Sequence, residues 1–471
     1  MLWNAAAKGG GQLVQFAATI ALARLLVPDQ FGLIAMVAVM TGFGALFTDI
    51  GLGAALVQHR PLREAHRSTV FWTTLVLGLI LTLAVAAASP LVAAFYDEPV
   101  LTPLTRAMAA QFVLLSAGTT PRAILIRTLN FRAVAIVEIG SVAVGSVAAV
   151  ALALAGAGVW ALVAQILVAA AMGTILAFAF SRWVPRAPPE VLAARELFGF
   201  SSHLMGFNVT NYWARNADNL LVGRVLGSVP LGLYGVAYTL MYLPLQQIAA
   251  VVGQVVFPLL SELRTAPERG RRVLEATVQL ITLATAPLLV LMAVTGSEIV
   301  SVLLGDGWER AGFLLRALAV GALPQVVVVS TGWIYQSQGR TDIMFRWGLL
   351  SSGVVVVAVL AGLRWGVEGV AVAQAIASWS LAAPALAIAG GLMEIRLRDF
   401  ARLLASPAVA LAVLAVVSGL VRAGLSTVVP APGVLFGSLL LGGIVYALVV
   451  WRLRPWSVGL LLARLSRRGP E

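Results

Sequence analysis

The chain has 471 residues, 60% of them hydrophobic and only 11% charged, where a soluble domain carries about 25% charged residues. That much apolar surface exceeds what one water-soluble core hides, and the absence of cysteine excludes disulfides and thiolate metal sites. The formal charge of +12 sits between apolar runs and is not gathered on one face, which argues against nucleic acid as a partner and matches the loop arginines of a membrane protein.

Apolar runs of roughly 20 residues, each long enough to cross about 30 Å of hydrocarbon as a helix, recur along the whole chain. In order they predict fourteen transmembrane helices, near residues 10–26, 32–57, 70–94, 107–126, 133–155, 158–180, 203–224, 231–259, 273–295, 311–336, 345–363, 368–391, 406–424 and 434–452. MLWNAAAKGG leads into the first without a small-residue cleavage site, so it reads as a retained helix and not as a signal peptide. An even count puts both termini on one side. With the N-terminus inside, 24 of the 32 basic residues fall in cytoplasmic segments and six in outer ones. Because the loops are short, this bias predicts that both termini are cytoplasmic.

The chain also echoes itself. ARLLVPDQFGLIAM follows the first run and GRVLGSVPLGLYGVAY the seventh, aligning Arg24 with Arg224 and Gly32 with Gly232. RTLNFR at 127–132 pairs with RTDIMFR at 340–346, and GVWALVAQ at 158–165 with GVAVAQ at 369–374. These echoes keep the same order, and the first pair lies at the outer ends of odd-numbered helices. They predict parallel repeats: an N-lobe of helices 1–6 over residues 1–190, a C-lobe of helices 7–12 over 191–393, and helices 13 and 14 with a cytoplasmic tail over 394–471. The fold class is therefore an all-α polytopic membrane protein, two six-helix lobes around a central cleft plus two extra helices.

The seventh run reads FNVTNYWARNADNL and is far too polar to face lipid all round. At 100° per residue, Asn208, Asn211, Tyr212, Arg215, Asp218 and Asn219 share an arc of about 120°. Charge near the bilayer centre costs about 2.5–3.5 kcal/mol on insertion scales, so such residues face a cavity or a partner. Two readings stand: Arg215 and Asp218 form an ion pair within the helix, or Arg215 offers a forked cationic donor to an anionic ligand while Asp218 tunes it or carries an ion. In the first run Lys8, Gln12, Gln15 and Thr19 share one face, either as packing amides or as the opposite wall of the same cleft. Asp49, Glu138 and Arg316 are further charges inside predicted spans, readable as ion-coupling sites or buried partners. Pro244 and Pro287 are candidate kinks.

Signals for enzymes are poor. GLGAAL and GGGQ lack a preceding strand, and no GxxxxGK[ST] occurs, so no nucleotide cofactor is expected. Histidines at 59, 66 and 203 are scattered, so no metal site is expected.

ARLLVPDQFGLIAM, TDIGLGAALVQ, RNADNLLVGRVLGSVPLGLYGVAYTL and FPLLSEL resemble the polysaccharide or O-antigen flippases, the Wzx-like proteins and especially their colanic-acid-exporter branch, within the multidrug/oligosaccharidyl-lipid/polysaccharide exporter superfamily. The resemblance implies a bacterial inner-membrane protein that moves a polyprenyl-diphosphate-linked oligosaccharide to the periplasmic leaflet by alternating access on an ion gradient. Membrane lipids, a glycan polymerase and export machinery would be its partners. It transfers no role onto Arg215 or Asp218; substrate binding by Arg215, Asn208, Asn211, Tyr212, Asn219, Gln12 and Gln15, and ion coupling by Asp218, Asp49 and Glu138, rest on the residues alone. A drug/cation antiporter of the same superfamily and a membrane-integrated glycan polymerase or ligase are the competing readings. The first favours acidic cavity residues and usually twelve helices, the second a large external catalytic loop.

Overall fold

The computed structural model describes residues 2–48, 51–58, 63–190 and 201–453, with backbone alone for 2–8, 201–211 and 214. These residues form sixteen α-helices and no strand. In chain order they are α1 (Leu2–Leu25), α2 (Pro28–Ala45), α3 (Leu52–Gln58), α4 (Glu64–Tyr96), α5 (Leu101–Ala109), α6 (Gln111–Arg127), α7 (Phe131–Leu154) and α8 (Val159–Ser181). Then follow α9 (Ser201–Leu226), α10 (Ser228–Glu262), α11 (Pro267–Leu303), α12 (Glu309–Ser337), α13 (Thr341–Gly362), α14 (Gly366–Gly391), α15 (Leu397–Leu425) and α16 (Ala431–Leu453). Each of the fourteen expected spans coincides with helix.

Two spans differ in detail. The one expected over 32–57 starts earlier, with Pro28 in the first turn of α2, where a missing N–H is harmless. It is also divided, because α2 stops at Ala45 and Gly51 takes φ +77° before α3 begins, a region that favours glycine. The span near 107–126 is two helices, α5 and α6, meeting at Ala110.

Two compact units result, Met1–Gly232 and Leu233–Glu471. In the first, α7 packs against both α1 and α8, and α6 against α4 and α8. Leu22, Leu26, Ala149, Ala153, Ala161 and Leu162 fill one core between α1, α7 and α8. Hydroxyls stitch neighbouring helices: Thr82 Oγ1 donates to Ala109 O at 3.0 Å and Thr174 Oγ1 to Leu114 O at 2.6 Å, the small-polar glue of membrane bundles. In the second unit α11 is central, contacting α12, α15 and α16, while α14 packs on α12 and α13.

Prolines lie inside many of these helices, and each denies a hydrogen bond to the carbonyl four residues earlier. In a bilayer no water replaces that bond, so another donor must. Pro287 frees Leu283 O, which accepts the Tyr446 hydroxyl at 2.9 Å. Pro324 frees Val320 O, which accepts Trp379 Nε1 at 3.0 Å. Pro407 frees Leu403 O, which accepts Gln279 Nε2 at 3.0 Å. Ser89 donates to Ala86 O, freed by Pro90, at 2.7 Å. Three of the four donors come from a different helix, so the prolines locate interhelical ties. Pro287 itself leaves the helical dihedrals intact; the break in α11 falls at Thr295, with φ −109° and ψ 24°.

One further tie holds α15 to α11: Arg422 Nε donates to Glu298 Oε1 at 2.7 Å. Glu298 is only 9% exposed.

Gln279→Leu leaves Leu403 O unpaired and is expected to destabilise the purified protein by about 1–3 kcal/mol, read as a lowered melting temperature. Adding Pro407→Ala restores the intrahelical bond and should return most of that loss. A double variant no more stable than Gln279→Leu alone would show that the freed carbonyl is not what Gln279 serves.

Candidate substrate-binding site

Helix α9, which carries the polar arc, is held at two places. The first is its C-terminal end. Gly227 turns the chain from α9 to α10 with φ +89°, and the start of α10 lies against the start of α2. A Cβ on Gly32 would collide with the Ser228 backbone, and one on Gly232 with the carbonyl of Pro28 and, at 2.9 Å, with the Gly32 nitrogen. Only glycine permits so close an approach. The contact is reciprocal: positions 28 and 32 of one echo meet 232 and 228 of the other, as a two-fold axis between like motifs requires. Ser228 Oγ also donates to Asp29 Oδ1. The duplicated motifs found in the sequence thus clasp each other.

The second hold is midway along α9. The Tyr212 hydroxyl donates to Val39 O on α2 at 2.6 Å. Gly42 makes room, since a Cβ there would lie 2.6 Å from the Tyr212 oxygen. The Phe43 ring packs 5.9 Å from that of Tyr212 and 5.0 Å from that of Trp213. Tyr212 therefore gives its proton to the backbone of α2, and what remains for a ligand is an oxygen acceptor and a ring face.

Around this anchor, the Asn216 amide donates to Tyr212 O at 2.8 Å, and Asp218 Oδ1 accepts the Asn219 N–H at 2.8 Å, local bonds typical of such side chains inside helices. Arg215 is exposed, whereas Asn216, Asp218 and Asn219 are half-buried; neither Arg215 nor Asp218 is isolated. Asn208 and Asn211 lie on described backbone of α9, but their side chains, like the whole of Asp49, fall outside the described residues.

The remaining candidates are spread over other helices. Gln12 and Gln15 lie on α1, whose main partner is α7. Gln12 Oε1 is buried and accepts no hydrogen bond among the described residues; Gln15 is exposed. Glu138, on α7, lies within electrostatic reach of Arg122 on α6. Arg122 falls inside α6, within the span expected near 107–126. Its Nη2 passes 2.6 Å from where a Cβ on Gly173 of α8 would stand. The signal for this placement was the glutamate: a lone acid in an apolar run needs a cation nearby. In the second unit Arg316 Nε donates to Ala293 O at 3.2 Å, two residues before the Thr295 break, so Arg316 serves the irregular backbone there.

An all-helical membrane bundle of this length, with duplicated motifs and polar groups presented at membrane depth, is of the multi-pass transporter class. The chain matches the polysaccharide biosynthesis protein family over residues 21–313, and it belongs to that family. It is 29% identical over 363 residues to the succinoglycan biosynthesis transport protein ExoT of Rhizobium meliloti (strain 1021), covering 76% of this chain and 73% of that protein. It is 24% identical over 347 residues to the lipopolysaccharide biosynthesis protein WzxC of Escherichia coli (strain K12), covering 72% and 70%. In fold it is similar to the lipid II flippase MurJ in an inward closed conformation, with a TM-score of 0.73, 13% identity, and 95% and 98% of the two chains covered. An inward-facing multidrug resistance MATE family transporter of the MOP superfamily is similar over 82% of this chain and 94% of its own, with a TM-score of 0.64 and 15% identity.

The clasp has a direct test in a chain free of native cysteine. Asp29→Cys with Ser228→Cys should cross-link in membranes under mild oxidation. Adding Gly232→Val should reduce the cross-linked fraction severely, because the added carbons force the α2 and α10 starts apart. Unchanged cross-linking would mean that the close approach is not needed to bring the two turns together.

Proposed function

We propose that this protein is a flippase that moves a polyprenyl-diphosphate-linked oligosaccharide, or a related polysaccharide precursor, from the cytoplasmic to the periplasmic leaflet. Family membership and the relative ExoT, named as a biosynthesis transport protein, support transport over glycan polymerisation. The observation that carries the reading at residue level is Arg215, an exposed guanidinium on a helix otherwise fastened to α2.

The physical need is clear. A diphosphate with a hydrated glycan does not cross hydrocarbon unaided, because stripping water from its charges costs far more than thermal energy. Arg215 supplies a fork of donors suited to phosphate oxygens. Asn208, Asn211 and Asn219 supply amides, Tyr212 its remaining acceptor, and Gln12 and Gln15 further amides to sugar hydroxyls. The isoprenoid tail stays in lipid. Two lobes, helices 1–6 and 7–12, rock about this cleft with helices 13 and 14 appended, in the inner membrane of a bacterium with both termini cytoplasmic. Parting the Gly32–Gly232 clasp is the step that opens the outer side. Asp218, Asp49 and Glu138 are the candidates for coupling to an ion gradient, Glu138 through its neighbour Arg122.

Cells lacking the protein should accumulate lipid-linked repeat units in the cytoplasmic leaflet. Arg215→Ala at normal membrane level should fail to relieve the block, and Arg215→Lys should relieve it in part, since it keeps the charge and loses the fork. Full rescue by Arg215→Ala, measured by extraction of lipid-linked intermediates, removes Arg215 from the substrate path. Glycosyl transfer by the purified protein without translocation would favour an enzyme.

A further inference from the structure

The second unit holds a cavity of about 570 Å³ between α10, α12, α13 and α14, a size typical of small-molecule sites. Its lining residues run from Tyr242 to Ala385 and include no Asp, Glu, Lys or Arg among the described residues. An ionic occupant would have to give up its water there without a counter-charge, at a cost of several kcal/mol. The polar groups are all neutral and come from four helices: Tyr242 and Gln246, Gln325, Trp347 with Ser351, and Ser378. Apolar side chains form the rest.

Two of these groups are already oriented. Gln325 Nε2 donates to Ser378 Oγ at 3.2 Å, which leaves the Gln325 carbonyl oxygen and the Ser378 proton available toward the cavity. Tyr242 ends a ladder of rings at every fourth position of α10: Tyr234 and Tyr238 are 6.0 Å apart, and Tyr238 and Tyr242 are stacked at 5.6 Å. The ladder is pinned at its other end by the Tyr234 hydroxyl on Gln374 Oε1.

Amides and hydroxyls that donate and accept, set beside aromatic faces and without charge, match one chemistry closely. Vicinal hydroxyls of a sugar both donate and accept, and the C–H face of a pyranose lies against an aromatic ring as other apolar groups do. We propose that this cavity is a subsite for neutral sugar residues of the glycan, separate from the charged site on α9. It rests on the flippase reading and deepens it: the cavity reads neutral sugars of the cargo, a task distinct from the diphosphate binding proposed for Arg215. The Tyr242, Trp347, Gln325 and Ser378 side chains then set which glycan is accepted.

The test compares two cargoes in cells: the complete lipid-linked repeat unit, and a precursor cut back to the diphosphate and first sugar by deleting a later glycosyltransferase. Gln325→Leu with Ser378→Ala should lower translocation of the complete unit about tenfold, the equivalent of one or two hydrogen bonds, and leave the short precursor unaffected. Arg215→Ala should block both. Equal loss of both cargoes in the cavity variant at normal membrane level, or loss of neither, overturns the subsite; the latter outcome would point to a lipid-filled cavity. If the double variant is missing from the membrane, Ser378→Ala alone is judged by the same cargo comparison. Failure of the flippase reading looks different, because then neither cargo accumulates when the protein is deleted.

Discussion

A backbone carbonyl released at membrane depth must find a donor, and much of this architecture follows from that requirement. The interior prolines bend or weaken their own helices, but the carbonyls they release become fixed acceptors for Tyr446, Trp379 and Gln279 on neighbouring helices. Two of those ties join α11 to α15 and α16, so the last two helices are bound to the second unit by directional bonds as well as by apolar contact. Apolar packing alone discriminates weakly between helices in lipid, since acyl chains are as good a neighbour as leucine. Hydrogen bonds to released carbonyls specify which helix goes where.

The same constraint shapes the treatment of charge. Arg316 serves a carbonyl near the Thr295 break, Arg422 meets Glu298, and Arg122 lies near Glu138. Arg215 is exposed, on a helix where the side chains of Tyr212 and Asn216 donate to backbone carbonyls. The tyrosine keeps α9 against α2; the arginine, less than one turn farther on, is exposed.

Helix number, order and type were legible because runs of apolar residues have to be about twenty long to cross a bilayer. Breaks were less so: nothing in the apolar pattern separates α2 from α3, and only the backbone of Gly51 reveals the division. The repeat at Arg24 and Arg224 was visible as letters, but the meeting of the two copies was not, since contact between positions two hundred residues apart leaves no local periodicity. The use of the Tyr212 hydroxyl on Val39 O was not legible: the helical repeat places a side chain on an arc, and it does not say whether the arc looks at a helix or at water. The cavity polar groups Gln325 and Ser378 were overlooked because each is a single polar residue in an apolar run, indistinguishable by pattern from packing amides.

The clasp between the α2 and α10 starts is made from two copies of one motif, each supplying the glycine that the other's backbone needs. The two motifs differ at most aligned positions, yet these two glycines are constrained: a bulkier residue at either is blocked by the backbone opposite. The joint therefore keeps a two-fold symmetry that side-chain change at either glycine cannot relax without moving the backbone opposite.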